Sequence, residues 1–155
     1  MGRDGRAASR RRGLLGLAAA LAAAASLVAG CGGDDGASER AAVRESVEGY
    51  FDALAAREFD TACAHTTPRF RTALEQWSRR NQPDLAVRTC PAIADRIAAD
   101  AGGRLVELQR RVRVRSVEVD GERARAVFGA NQVAELERIE ERWLIDELDF
   151  TGAAR

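Results

Sequence analysis

The spacing of apolar residues changes once along this chain, at Gly102-Gly103, and that change limits the fold more than any other feature. Before it, Val43, Val47, Tyr50, Phe51 and Leu54 recur at helical spacing, so residues 39–56 read as an amphipathic helix with one core face. Ser38 is placed as its N-cap, with Glu39 in the first turn, where a negative charge suits the helix dipole. Residues 60–66 read as a short second helix carrying Cys63. Thr67-Pro68 then starts a third, with Thr67 as cap and Pro68 at the first helical position. Phe70, Leu74 and Trp77 give that helix its apolar face. Asn81-Gln82-Pro83 breaks the chain, and Asp84 is read as the cap of a further segment containing Leu85, Val87, Ile93 and Ile97. Pro91, which lacks an amide donor, demands either a kink or a fresh start there.

After Gly102-Gly103 the period is two. Val112 and Val114 alternate with arginines, and Val117 and Val119 alternate with Ser116 and Glu118. The parity flip between the two pairs predicts a bulge near Arg115-Ser116. Asp120-Gly121 is a strong hairpin signal, returning through Ala124, Ala126 and Phe128. Two more strands follow, over residues 132–139 and 142–150. Helices first and an antiparallel meander afterwards predict an α+β domain over residues 38–151, with 152–155 as a tail.

The first thirty residues are of another kind. Arg3, Arg6, Arg10, Arg11 and Arg12 lead into an apolar run from Leu14 to Ala29, and small residues then precede Cys31. Charged, apolar and small-residue regions in that order form a secretory signal peptide. Val28-Ala29-Gly30-Cys31 resembles a bacterial lipobox, which implies cleavage between Gly30 and Cys31 and a diacylglyceryl group on the Cys31 thiol. A retained membrane span would want ~20 apolar residues, and this alanine-rich stretch is short and weakly inserting. Ser9-Arg10-Arg11-Arg12-Gly13-Leu14-Leu15 also resembles a twin-arginine export motif, with Gly13 where that family prefers phenylalanine, so the export route stays open. A lipobox cysteine carries at least two acyl chains, enough for stable retention. The expectation is an extracytoplasmic protein held on a bacterial membrane through Cys31, with residues 31–37 as the lipidated cysteine and a flexible linker.

Without the leader the chain has 125 residues, enough for one domain. The whole chain balances 24 basic against 24 acidic residues, but the leader holds five arginines and one acid, leaving 19 against 23. That excess of acid argues against a nucleic-acid partner. There is no lysine, so arginine clusters carry little weight; Arg110, Arg111, Arg113 and Arg115 read as a solvated strand face. Once Cys31 is lipidated, Cys63 and Cys90 remain, an even count that reads as a disulfide in an exported chain. The alternative is a metal site built from Cys63, His65 and Cys90, which lacks a fourth ligand. The disulfide is preferred, and neither metal nor cofactor is expected.

Over residues 39–150 the chain resembles the nuclear-transport-factor-2-like superfamily, the cystatin-like cone fold. The resemblance rests on the Val43-to-Leu54 helix, on Cys63-Ala64-His65-Thr66-Thr67-Pro68 with its Cys90-Pro91 partner, on Val117-Glu118-Val119-Asp120-Gly121, and on Trp143 to Phe150. Glu140-Glu141 departs from it, standing where such proteins often turn through Asp-Gly or Gly-Gly. The resemblance implies a curved sheet folded against helices, a cone whose mouth holds a small molecule, and leaves open a dimer through the sheet. The same scaffold hosts isomerases, dehydratases and non-catalytic members, so fold does not deliver function.

Enzymes of that family place an aspartate or a His/Asp pair in the cone. Here the candidates for general base are Asp52 and His65, the chain's single histidine. Both have blander readings, Asp52 as a solvated helix carboxylate and His65 as a residue near a helix end. Tyr50, Trp77, Phe128 and Trp143 are the candidate pocket residues. Gly-x-Ser-x-Gly, a phosphate-binding glycine loop and His-Glu-x-x-His are all absent from the sequence. The reading adopted is a non-catalytic envelope module that binds a small ligand or a neighbouring protein; the alternative is a cone-fold isomerase or dehydratase using Asp52 or His65.

Overall fold

Val43, Val47 and Phe51 lie on one stripe of helix α1 (Asp34–Ala56), and all three are buried. The computed structural model describes residues 34–102, 107 and 112–151. The leader, the proposed Gly30/Cys31 cleavage site, Arg110, Arg111 and the tail lie outside them. α1 begins four residues before Ser38, so Ser38 sits exposed inside the helix and caps nothing, and most of the segment read as a linker is helical.

α1 ends in a Schellman arrangement. The Glu58 amide donates to the Ala53 carbonyl at 2.9 Å and the Arg57 amide to that of Leu54 at 3.1 Å, with Arg57 at φ 64°. Glycine is the usual occupant of that position. Arg57 instead projects its guanidinium to Asp95, 2.9 Å away, and over the Phe59 ring.

Helix α2 (Phe59–Ala64) is short and carries Cys63. Helix α3 (Pro68–Asn81) opens with Pro68 at its first position, and the Thr67 hydroxyl accepts from the Phe70 amide at 3.0 Å. Residues 82–89 form a loop, so Leu85 and Val87 are not helical and Asp84 is no cap. The Leu85 amide bonds the Gln82 carbonyl and Arg88 bonds that of Pro83, closing the segment on itself. Helix α4 (Cys90–Ala101) starts at Cys90-Pro91, so Pro91 begins a helix rather than kinking one, and Gly102 ends it at φ 65°.

Strands β1 (Val114–Asp120), β2 (Arg123–Phe128), β3 (Gln132–Ile139) and β4 (Arg142–Asp149) pair antiparallel in the order β1-β2-β3-β4. The register shifts between Val114 and Ser116, placing a bulge at Arg115. A second shift leaves Asp146 unpaired between Ile145 and Glu147. Gly121 takes φ 58° in the first turn. Glu140 and Glu141 both take positive φ, 48° and 65°, the pair of values a two-residue I′ turn needs and Asn-Gly normally supplies.

Among the described residues the chain is thus an α+β domain of four helices and a four-stranded antiparallel sheet. α1 lies on the sheet, where Val43, Val47 and Phe51 meet Ala124, Ala126, Phe128, Ala134, Leu136, Trp143 and Ile145. Small residues on β2 and β3 let the helix approach; the large ones, Phe51 and Phe128, meet with ring centroids 5.0 Å apart. The buried Ser46 hydroxyl donates to the Trp143 carbonyl at 2.7 Å, and Glu48 accepts the Val114 amide at 3.0 Å, so α1 is tied to both edge strands. The sheet's other face carries Glu118, Arg125, Glu135 and Glu147 in one cross-strand row.

A candidate site at the disulfide-braced helices

The free edge of β4 is where the helical layer joins the sheet. The Ile145 amide donates to the His65 carbonyl at 2.8 Å, and the Thr67 amide to that of Ile145 at 2.9 Å. Asp146 bulges out beside them. Its carboxylate accepts from the Thr67 hydroxyl at 2.7 Å and from the Arg69 guanidinium through both oxygens. The Arg69 fork and the Thr67 donor hold the Asp146 carboxyl below the usual carboxylate range, against the opposing effect of burial. The hydroxyl that caps α3 is thereby oriented by a strand residue, which fixes how the helix leaves the sheet.

From that junction α2, α3 and α4 diverge around an open groove of about 560 Å³. Cys63 and Cys90 lie in its wall at disulfide distance, with Cα atoms 6.1 Å apart. This pairing leaves no thiolate for the Cys63–His65–Cys90 metal alternative, and among the described residues no group of three His, Cys, Asp or Glu side chains is placed to hold a metal ion. Asp60, Arg71, Thr72, Glu75 and Thr89 give the groove a mixed acidic, basic and hydroxyl lining. Arg71 is held in place by the Cys63 and Thr66 carbonyls, at 3.0 and 2.8 Å. Such a lining offers hydrogen bonds to a peptide or a small polar molecule. Among these residues no nucleophile is paired with a base, which acyl or phosphoryl transfer would require.

The two candidate bases do not meet. Asp52 is exposed on the outward face of α1, lining a shallow depression with Arg44, Glu45 and Glu48. His65 closes α2 and lies against Gly49, where a Cβ would stand 3.0 Å from the ring Cε1, a contact tight enough to require the ring to shift. Burial, with help from the Arg142 charge, lowers the His65 pKa, and Glu45 pulls the other way.

The candidate pocket residues separate. Phe128 and Trp143 are buried between α1 and the sheet, filling that space. Tyr50 is partly buried, edge-on to Phe51 and Phe70, and burial pushes its hydroxyl up to about 12, so it stays a neutral phenol. Trp77 is 39% exposed and lines no interior: α3 turns Ser78 inward, where it bonds Gln82, and Trp77 falls to the side.

The Asp146–Arg69 pair is not legible in the sequence because 77 positions separate the two residues. One signal was present. Trp143 and Ile145 share a parity that Leu148 breaks, which places a bulge between them.

No family model, curated protein or solved structure matches the chain.

Proposed function

We propose that this is a lipid-anchored, extracytoplasmic bacterial envelope protein. Its first 30 residues are removed, Cys31 carries the lipid, and its nuclear-transport-factor-2-like domain binds a small polar ligand or a neighbouring protein without catalysing a reaction. The observation that carries the non-catalytic reading is the filled interior. Phe51, Phe128, Trp143 and Ile145 occupy the space between α1 and the sheet, and Asp52 lies outside it. A cone catalyst needs its base desolvated and within hydrogen-bond reach of substrate inside the cone. The groove among α2, α3 and α4 is the better recognition surface, being open, polar and braced by Cys63–Cys90.

The test is complementation of a deletion strain, with folding and anchoring verified for each variant. Asp52→Asn and His65→Gln keep full function, whereas Thr72→Trp, which fills the groove from an exposed position, loses it. Loss of function in well-folded, anchored Asp52→Asn or His65→Gln would favour the isomerase or dehydratase alternative.

A further inference from the structure

α1 begins three residues after Cys31, so a lipid on that cysteine sits very close to one end of the domain. Three extended residues span at most about 11 Å. What shares that end is fixed by Arg138. Its guanidinium pairs with Glu39 in α1 at 3.0 Å and with Glu141 in the β3–β4 turn at 2.6 Å. Its amide donates to the Glu122 carbonyl at 2.8 Å, bringing in the β1–β2 turn. The start of α1 and both hairpin turns therefore form one pole, while the β2–β3 turn lies at the far ends of those strands.

The alternative placement, α1 flat on the lipid, fits its outer face poorly. Ala41, Ala42, Glu45 and Asp52 are exposed there, with Arg40 exposed and Arg44 half-buried as the cations among residues 35–56. An interfacial helix needs a large apolar face flanked by basic residues, and this face presents no such arrangement.

We propose that the pole bearing the β1–β2 and β3–β4 turns faces the bilayer, so that the domain stands on the membrane with the groove to the side and the β2–β3 turn away from it. The proposal rests on Cys31 being the anchor. His65, at the base of the helical layer, lies beside Gly49, about 22 Å along α1 from its start.

The experiment uses the full-length lipidated protein in phosphatidylcholine vesicles carrying an acceptor-labelled lipid, with a donor dye on one introduced thiol. Glu140→Cys and Glu122→Cys report the two turns of the near pole, and Ala130→Cys reports the far turn. Energy transfer several-fold greater from positions 140 and 122 than from 130 is the expected result. Equal or greater transfer from 130, in protein shown by mass spectrometry to carry lipid on Cys31, overturns the orientation alone. Absence of lipid on Cys31 overturns the anchor and the orientation together.

Discussion

The Thr67 hydroxyl donates to the Asp146 carboxylate at 2.7 Å while accepting from the Phe70 amide at 3.0 Å, so a bulged strand residue and a helix cap share one oxygen. Arg69, the second residue of the same helix, closes a fork on that carboxylate. Asp146→Asn is expected to destabilise the domain by about 1–2 kcal/mol, the scale of a lost charge-assisted hydrogen bond near the surface. Arg69→Ala should cost less than Asp146→Asn, because its side chain is 71% exposed. Urea unfolding of the three proteins checks both, and a loss in Arg69→Ala as large as that in Asp146→Asn would contradict this ranking.

Two titrations should mark the acid limb of stability. The folded pKa of His65 is lowered, so its contribution is complete above the unfolded value of about 6.5 and declines as pH falls below it. The folded pKa of Asp146 is also lowered, and its contribution is lost as pH falls below about 3.9. Unfolding free energy measured from pH 8 to pH 3 should therefore fall in two steps, and His65→Gln should remove the upper one.

The β3–β4 turn holds two non-glycine residues at positive φ. Replacing Glu140-Glu141 by Asn-Gly is expected to raise stability by about 1 kcal/mol, relief of left-handed strain exceeding the loss of the exposed Arg138–Glu141 pair. Thermal unfolding decides the sign.

These turns and junctions show where the sequence was readable. The Arg115 bulge, the Asp120-Gly121 hairpin and the Thr67-Pro68 start were legible because each is encoded in consecutive residues. The β3–β4 turn lacked its glycine, leaving only strand periodicity to place it. Leu85 and Val87 mimicked a helical face that the loop does not form, since its Leu85 amide and Arg88 side chain bond back to the Gln82 and Pro83 carbonyls. The early start of α1 was hidden by Gly36, although Asp35 suits the positive end of the helix dipole. The groove was illegible because its walls come from three helices and meet only in the folded chain.

Cys63 and Cys90 enclose 27 positions of sequence separation across α2, α3 and the following loop. Non-reduced peptide digests should show the two linked, and replacing both by alanine should cost about 2–4 kcal/mol. Free thiols recovered from freshly isolated envelope would contradict the link.

The central claim, that Cys31 is the lipidated N-terminus of an envelope protein, is tested most directly by metabolic labelling with a clickable fatty acid in cells making the wild-type chain or Cys31→Ala. The account predicts labelled, processed wild-type protein in the membrane fraction, and an unlabelled variant that accumulates as precursor. A wild-type chain without label, or a Cys31→Ala chain still labelled and cut after Gly30, would contradict it.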